Sequence, residues 1–171
     1  SQIEGDKMKK IIICLITVLM LFATIGCSNQ YDGLTKIENE LFEVYIPDTY
    51  DEQKKDGYDY VGYDENTSFV VFHEVISDLQ QYIDISEETT LQEYAELIRQ
   101  DNQMDKEFEM DKNGNLAVQY ESNVDGVDFF YYTAVKKGSG NFYIVTCSCL
   151  KEDAQKHTEN FSRWLSTFKT Y

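Results

Sequence analysis

Leu116-Ala117-Val118-Gln119-Tyr120-Glu121-Ser122-Asn123, Asp125-Gly126, Val127 to Val135, Gly138-Ser139-Gly140 and Asn141 to Leu150 make up the stretch that decides the fold. The three runs are rich in aromatic and β-branched residues, which suit a pleated, half-buried surface. Asp125-Gly126 supplies the positive φ that a tight hairpin turn needs. Just upstream, Phe108 to Asp111 and the turn residues Asn113-Gly114 repeat the device. The spacing predicts a four-strand meander.

Toward the N-terminus, Tyr58 to Asp64 and Ser68 to Ile76 flank Glu65-Asn66-Thr67 and predict another hairpin. In its second strand Phe69, Val71 and Val75 share one face, while Val70, Phe72 and Ile76 share the other. Such a strand is central and covered on both sides. Phe42-Glu43-Val44-Tyr45-Ile46 alternates and stops at Pro47-Asp48, giving a first full strand with a turn behind it.

Two helices complete the pattern. Thr90-Leu91-Gln92-Glu93 is a capping-box signature. Leu91, Tyr94, Ala95 and Ile98 follow at helical spacing, which predicts a helix from Leu91 to about Asn102. From Glu152 to Phe168, the residues Phe161, Trp164, Leu165 and Phe168 form one apolar stripe. The fold class is α+β, with an antiparallel sheet of about six to seven strands and helices packed on it.

The N-terminal segment reads as an address. Met8-Lys9-Lys10 precedes the apolar run Ile11 to Ala23, the charged and hydrophobic parts of a secretory signal. That run is shorter than the roughly 20 residues a spanning helix needs. Thr24-Ile25-Gly26-Cys27 then resembles the lipobox of bacterial lipoproteins. The resemblance implies acylation of the Cys27 thiol, cleavage before it, and an anchor in the cell membrane with the domain facing outward. Thr24 stands where that motif usually has leucine. Glu4 and Asp6 do not belong in a positive leader, so residues 1–7 read as a mis-called start. The expected organisation is signal 8–26, lipidated cysteine and tether 27–36, and a single domain 37–171.

The 171 residues carry 31 Asp and Glu against 15 Lys and Arg, a formal charge of -16. A nucleic-acid binder needs a basic face, so that class is excluded. At 42% hydrophobic and 14% aromatic, the chain is not a disordered acidic tail. Removing residues 1–26 takes away Glu4, Asp6, Lys7, Lys9 and Lys10 and leaves -17. Such a domain attracts cations and basic partners, and without a polybasic patch it relies on acyl chains for its membrane hold.

Site candidates are few. Cys14 leaves with the signal, and Cys147 and Cys149 read as small buried residues on one strand face, with a redox or metal role as the alternative. Asp111-Lys112-Asn113-Gly114-Asn115 begins like a calcium loop, but Leu116 and Ser122 stand where glycine and glutamate are required. Asp101, Asp105, Glu107, Glu109 and Asp111 read as a solvated face, or as a weak cation site. His73 reads as a satisfied core or sheet-edge histidine, and His157 as exposed on the polar side of the last helix. No Gly-x-Ser-x-Gly, His-Glu-x-x-His or phosphate loop occurs, so no catalytic residue, metal ligand or cofactor is assigned. Tyr58, Tyr60 and Tyr63 fall in one strand, and Tyr131 and Tyr132 in another. They either cover half-buried faces or form an aromatic, acid-rimmed surface that docks a peptide, glycan or protein.

The order of elements resembles the PsbP-like fold over roughly Leu34 to Tyr171. Phe42-Glu43-Val44-Tyr45-Ile46-Pro47, the Leu91 helix, Phe142-Tyr143-Ile144-Val145-Thr146 and Trp164-Leu165-Ser166-Thr167-Phe168 carry the likeness. Members of that fold are mostly small and non-enzymatic, and the resemblance assigns no binding residue. The resemblance lowers the expectation of catalysis, and the expected role is binding or assembly at the outer face of the cell membrane, with an envelope protein as a partner. The alternatives are a cation or small-ligand binding protein and, from another class, a carboxylate-dependent envelope enzyme.

Overall fold

A computed structural model describes residues 31–171. In chain order the elements are β1 (Leu34–Glu38), β2 (Phe42–Pro47), β3 (Asp51–Glu52), β4 (Tyr60–Tyr63), β5 (Thr67–Val75) and α1 (Ile76–Leu79). Next come α2 (Leu91–Asp101), β6 (Glu109–Met110), β7 (Leu116–Val124), β8 (Val127–Lys137) and β9 (Asn141–Leu150). A short 3-10 turn leads into α3 (Ala154–Ser166), and β10 (Lys169–Thr170) closes the fold. The α+β class and the meander stand as expected. β6 to β9 are neighbours within a seven-stranded sheet of order β3-β4-β5-β9-β8-β7-β6.

Turn chemistry sets the register. Asp125 and Gly126 have φ of 49° and 87°, a turn whose twist matches the flanking strands. It pairs Val124 with Val127 and aligns every later pair, up to Leu116 with Val135. The capping box forms as read: the Thr90 side chain accepts from the Glu93 N–H, and Glu93 accepts from the Thr90 N–H. Such a cap stabilises a helix start by about 1 kcal/mol.

The sheet separates two cores. On one face Phe161, Trp164 and Leu165 of α3 join Phe42, Val44 and Ile46 of β2 over Phe69, Ala134, Val145 and Cys147. On the other face Tyr94, Ala95 and Ile98 of α2 pack on Leu116, Val135, Phe142 and Ile144. Ala134 and Val135 are sequence neighbours that serve opposite cores, as are Ile144 and Val145. This is why β8 and β9 read as continuous apolar runs.

Two boundaries differ from expectation. The fold contains a separate three-stranded sheet, β1-β2-β10, rather than one sheet alone. The segment read as a tether through Lys36 is already strand from Leu34, pairing Leu34 with Pro47 and Glu38 with Glu43. Thr35 and Lys36 are exposed on this edge strand, so it carries the composition of a linker.

Candidate functional site

β5 outruns its neighbour. β4 begins at Tyr60, opposite Val71, and the Asp59 N–H still reaches the Val71 carbonyl at 3.0 Å. The preceding chain then turns away through Gly57 and Tyr58, while β5 continues to Val75 and into α1. The result is a cleft of about 530 Å3 lined by residues 57–59, residues 72–75, Asp78 and Leu79.

At its centre His73 Nδ1 lies 2.7 Å from Asp59 Oδ1. The side chains are 28% and 13% exposed. With a carboxylate on Nδ1, the ring is held in one orientation and Nε2 is left as its second polar atom. Asp59 Oδ2 is buried and has no hydrogen-bond partner among the described residues. The walls are aromatic. Tyr58 meets Phe72 edge-on at 6.3 Å, the Lys55 ammonium lies 5.0 Å above the Tyr58 ring, and Tyr143 packs 6.1 Å from the His73 ring.

Glu74, the next residue on β5, turns to the opposite face and is 8% exposed. It accepts a hydrogen bond from the Tyr94 hydroxyl, and Tyr94 stacks flat on Phe142 at 4.1 Å. Burial pushes the Glu74 carboxyl above its ordinary range, against the opposing pull of the Tyr94 hydrogen bond. The cleft therefore has a histidine–carboxylate pair on one side of β5 and a buried acid on the other. No serine, threonine or cysteine is among its lining residues.

A second polar cluster sits at the β6–β7 turn. Asp111 Oδ1 accepts the N–H groups of Asn113 and Asn115, each at 2.9 Å. Its Oδ2 accepts from Asn115 Nδ2 at 2.8 Å, the Tyr132 hydroxyl at 2.7 Å and the Ser162 hydroxyl at 2.6 Å. Burial alone would raise this carboxyl, but the bonds from Ser162, Asn115 and Tyr132 outweigh it and hold it at about 2. Asn115 is fully buried; it receives Lys136 Nζ at 2.8 Å and donates to the Ser162 carbonyl at 2.9 Å. Asp111 thus staples the turn to α3 and does not belong to a solvated acidic face. Among the described residues, no three His, Cys, Asp or Glu side chains cluster closely enough to hold a metal ion.

The other candidates are dispersed. Tyr58 lines the cleft, and Tyr63 is half-buried at the end of β4. Tyr60 is 6% exposed, and Tyr131 and Tyr132 are 2% exposed each, so these five tyrosines form no common docking surface. Tyr60 folds over Gly62, where an added Cβ would come 2.6 Å from a ring carbon. Tyr131 stacks on Tyr120 at 5.0 Å, while Tyr132 turns to the opposite face and Asp111. The physical reason is coverage, because β8 has paired neighbours on both edges and packed elements on both faces. His157 is also not exposed. It is 9% accessible, stacks on Phe161 at 5.8 Å, and burial lowers its ring below the ordinary histidine range, with Lys156 adding to the effect.

Cys147 and Cys149 are free, buried thiols. Burial pushes Cys149 up to about 12 and Cys147 well above its usual value, the opposite of a reactive thiolate. Cys27 and the motifs before it lie outside the described residues.

Fold and site together define a small α+β domain with a side cleft at the end of its central hairpin. No protein-family profile and no curated protein sequence matches the chain. Solved structures do match. Cyanobacterial PsbP (CyanoP) from Synechocystis shares 13% identity at a TM-score of 0.49, covering 88% of this chain and 99% of its own. The Ran-binding protein Mog1p of Saccharomyces cerevisiae shares 9% at 0.48, covering 80% and 94%. A protein from Bacteroides thetaiotaomicron shares 11% at 0.50, covering 76% of this chain and 45% of its own. The chain therefore spans less than half of the Bacteroides protein, and that likeness, at 11% identity, speaks to the fold alone. CyanoP is a PsbP, the protein for which the fold resembled by the element order is named.

Proposed function

We propose that the chain is a non-enzymatic, lipid-anchored binding module of the bacterial cell envelope, which holds a protein partner at the His73–Asp59 cleft. The export and the anchor rest on Met8-Lys9-Lys10, the apolar run behind it and the Gly26-Cys27 ending. The binding role rests on one observation, the buried Asp59 Oδ2 without a hydrogen-bond partner. An unsatisfied buried polar atom costs about 1–3 kcal/mol, and a partner's donor that reaches it as the cleft wall yields recovers that cost. A lysine or arginine side chain is such a donor. It suits a chain of net charge -16 and a His73 face walled by the aromatic ring of Tyr143.

A small cationic ligand is the second reading, favoured by a cleft volume of about 530 Å3, within the range of ordinary ligand sites. Photo-crosslinking on intact cells separates the two. A crosslinking residue in place of exposed Asp78, at the cleft, is expected to give a discrete protein adduct that Asp59→Asn abolishes. The same residue at exposed Asn123 is expected to give none. A thermal shift with simple amines and no adduct would instead favour the small ligand. Adducts of equal yield from both positions, or indifference to Asp59→Asn, would count against a cleft partner.

A further inference from the structure

The chain enters the described fold at Tyr31, whose ring lies 4.4 Å from that of Tyr45. Beside it the Asp48 N–H donates to the Gly33 carbonyl at 3.0 Å, fixing this entry against the Pro47 end of β2. Cys27 is four positions before Tyr31 in the sequence, and four residues reach at most about 14 Å. The His73 cleft belongs to the other end of the same strand. The His73 ring neighbours Tyr143, and the Tyr143 hydroxyl donates to the Leu41 carbonyl at 3.2 Å, one residue before β2 begins. β2 has 6 residues, so its two ends are separated by about 16 Å of strand.

We infer that the anchored domain stands with its Tyr31–Tyr45 end on the lipid headgroups and its cleft facing away from the membrane. This rests on the lipid on Cys27 proposed above. Tyr31 is 48% exposed, a large ring shown to solvent at the point nearest the anchor. Tyrosine, with an apolar ring and a polar tip, favours the membrane–water interface.

Charge makes the orientation sensitive to the lipid. Toward the Phe42 end of β2, away from the proposed contact, Glu43 receives Lys36 at 2.6 Å and Lys169 at 2.8 Å. Asp32 and Asp48 stay exposed at the Tyr31 end, which makes the contact weaker on anionic than on zwitterionic lipid.

The test uses the full lipidated chain on phosphatidylcholine vesicles whose acyl chains carry bromine near the headgroup. Tyr31→Trp adds an emitter at the proposed contact. Tyr82→Trp adds one at a residue 67% exposed, between Leu79 and Ile83, which pack on the opposite side of the sheet. The native Trp164, 5% exposed, gives the baseline for both. The added emission is expected to fall about twofold for Tyr31→Trp and to stay unchanged for Tyr82→Trp. Equal quenching at both positions, or none at Tyr31→Trp, overturns the orientation and leaves the anchor standing. If the parent chain does not float with vesicles, anchor and orientation fall together. Carbethoxylation of His73 is the second readout. Equal rates on vesicles and in detergent are expected, and protection on vesicles overturns the outward cleft.

Discussion

The Asp111 corner and the His73–Asp59 cleft both place a carboxylate among polar partners, yet the two are finished differently. At Asp111 both oxygens are occupied: two donors come from other elements, Tyr132 on β8 and Ser162 on α3, and Asn115 in the turn itself is fully buried. At Asp59 one oxygen holds His73 and the other holds nothing within the described chain. A satisfied network stiffens a fold, and a half-satisfied one leaves an unpaid desolvation cost. The first is thus an internal brace, and the second leaves one carboxylate oxygen unmatched, the feature on which the proposed docking rests.

The sharpest way to break this contrast is Asp111→Ala. It leaves two hydroxyls and the Asn115 amide without their acceptor at the turn–helix junction, and is expected to cost about 2–3 kcal/mol. Urea unfolding reads this as a lower midpoint, with Asp111→Asn falling between variant and parent. A loss under about 0.5 kcal/mol would mean that water replaces the carboxylate and that the corner is no brace.

The next largest effect is a pair of opposed pH dependences. Asp111 is held at about 2, below the ordinary 3.8. Its contribution is present above 3.8 and is lost as pH falls from there toward 2. Glu74 is shifted the other way by burial. The folded state then holds its proton more firmly than the unfolded chain, so stability declines as pH rises from 4.5 through the raised value. Glu74→Gln keeps an acceptor for the Tyr94 hydroxyl and removes that decline, so its urea midpoint is expected to exceed the parent's at neutral pH. Parallel stability profiles for Glu74→Gln and the parent between pH 4 and 8 would show that Glu74 is not desolvated.

The two regions also differ in how far they can be read from the sequence. Asp111-Lys112-Asn113-Gly114-Asn115 is legible as a turn, because its partners Asn113 and Asn115 are local. Tyr132 and Ser162, 21 and 51 positions away, are not. Asp59 and His73 are 14 apart, and only the Tyr60–Val71 register brings them together. His157 was legible after all, since it precedes Phe161 by four and Trp164 by seven and so falls on the apolar stripe of α3. Phe129-Phe130-Tyr131-Tyr132 lacks alternation, the same sign that marks β5 as covered on both faces. The β1-β2-β10 sheet gave little signal, for β1 exposes Thr35 and Lys36 between its two packing residues and β10 has 2 residues.

The smallest expected effect on stability is at the cleft, and its smallness is the point. If Asp59 is an open position, Asp59→Asn exchanges an unpartnered oxygen for an amide and changes folding by less than about 1 kcal/mol in either direction. The same substitution is expected to abolish the Asp78-position crosslink. A double-mutant cycle with His73→Ala then asks whether the pair acts as one unit. Binding losses that coincide, with stability losses that stay small, make His73 and Asp59 one docking element. A cost at Asp59 as large as that at Asp111 would make the cleft a second brace and erase the difference between the two regions.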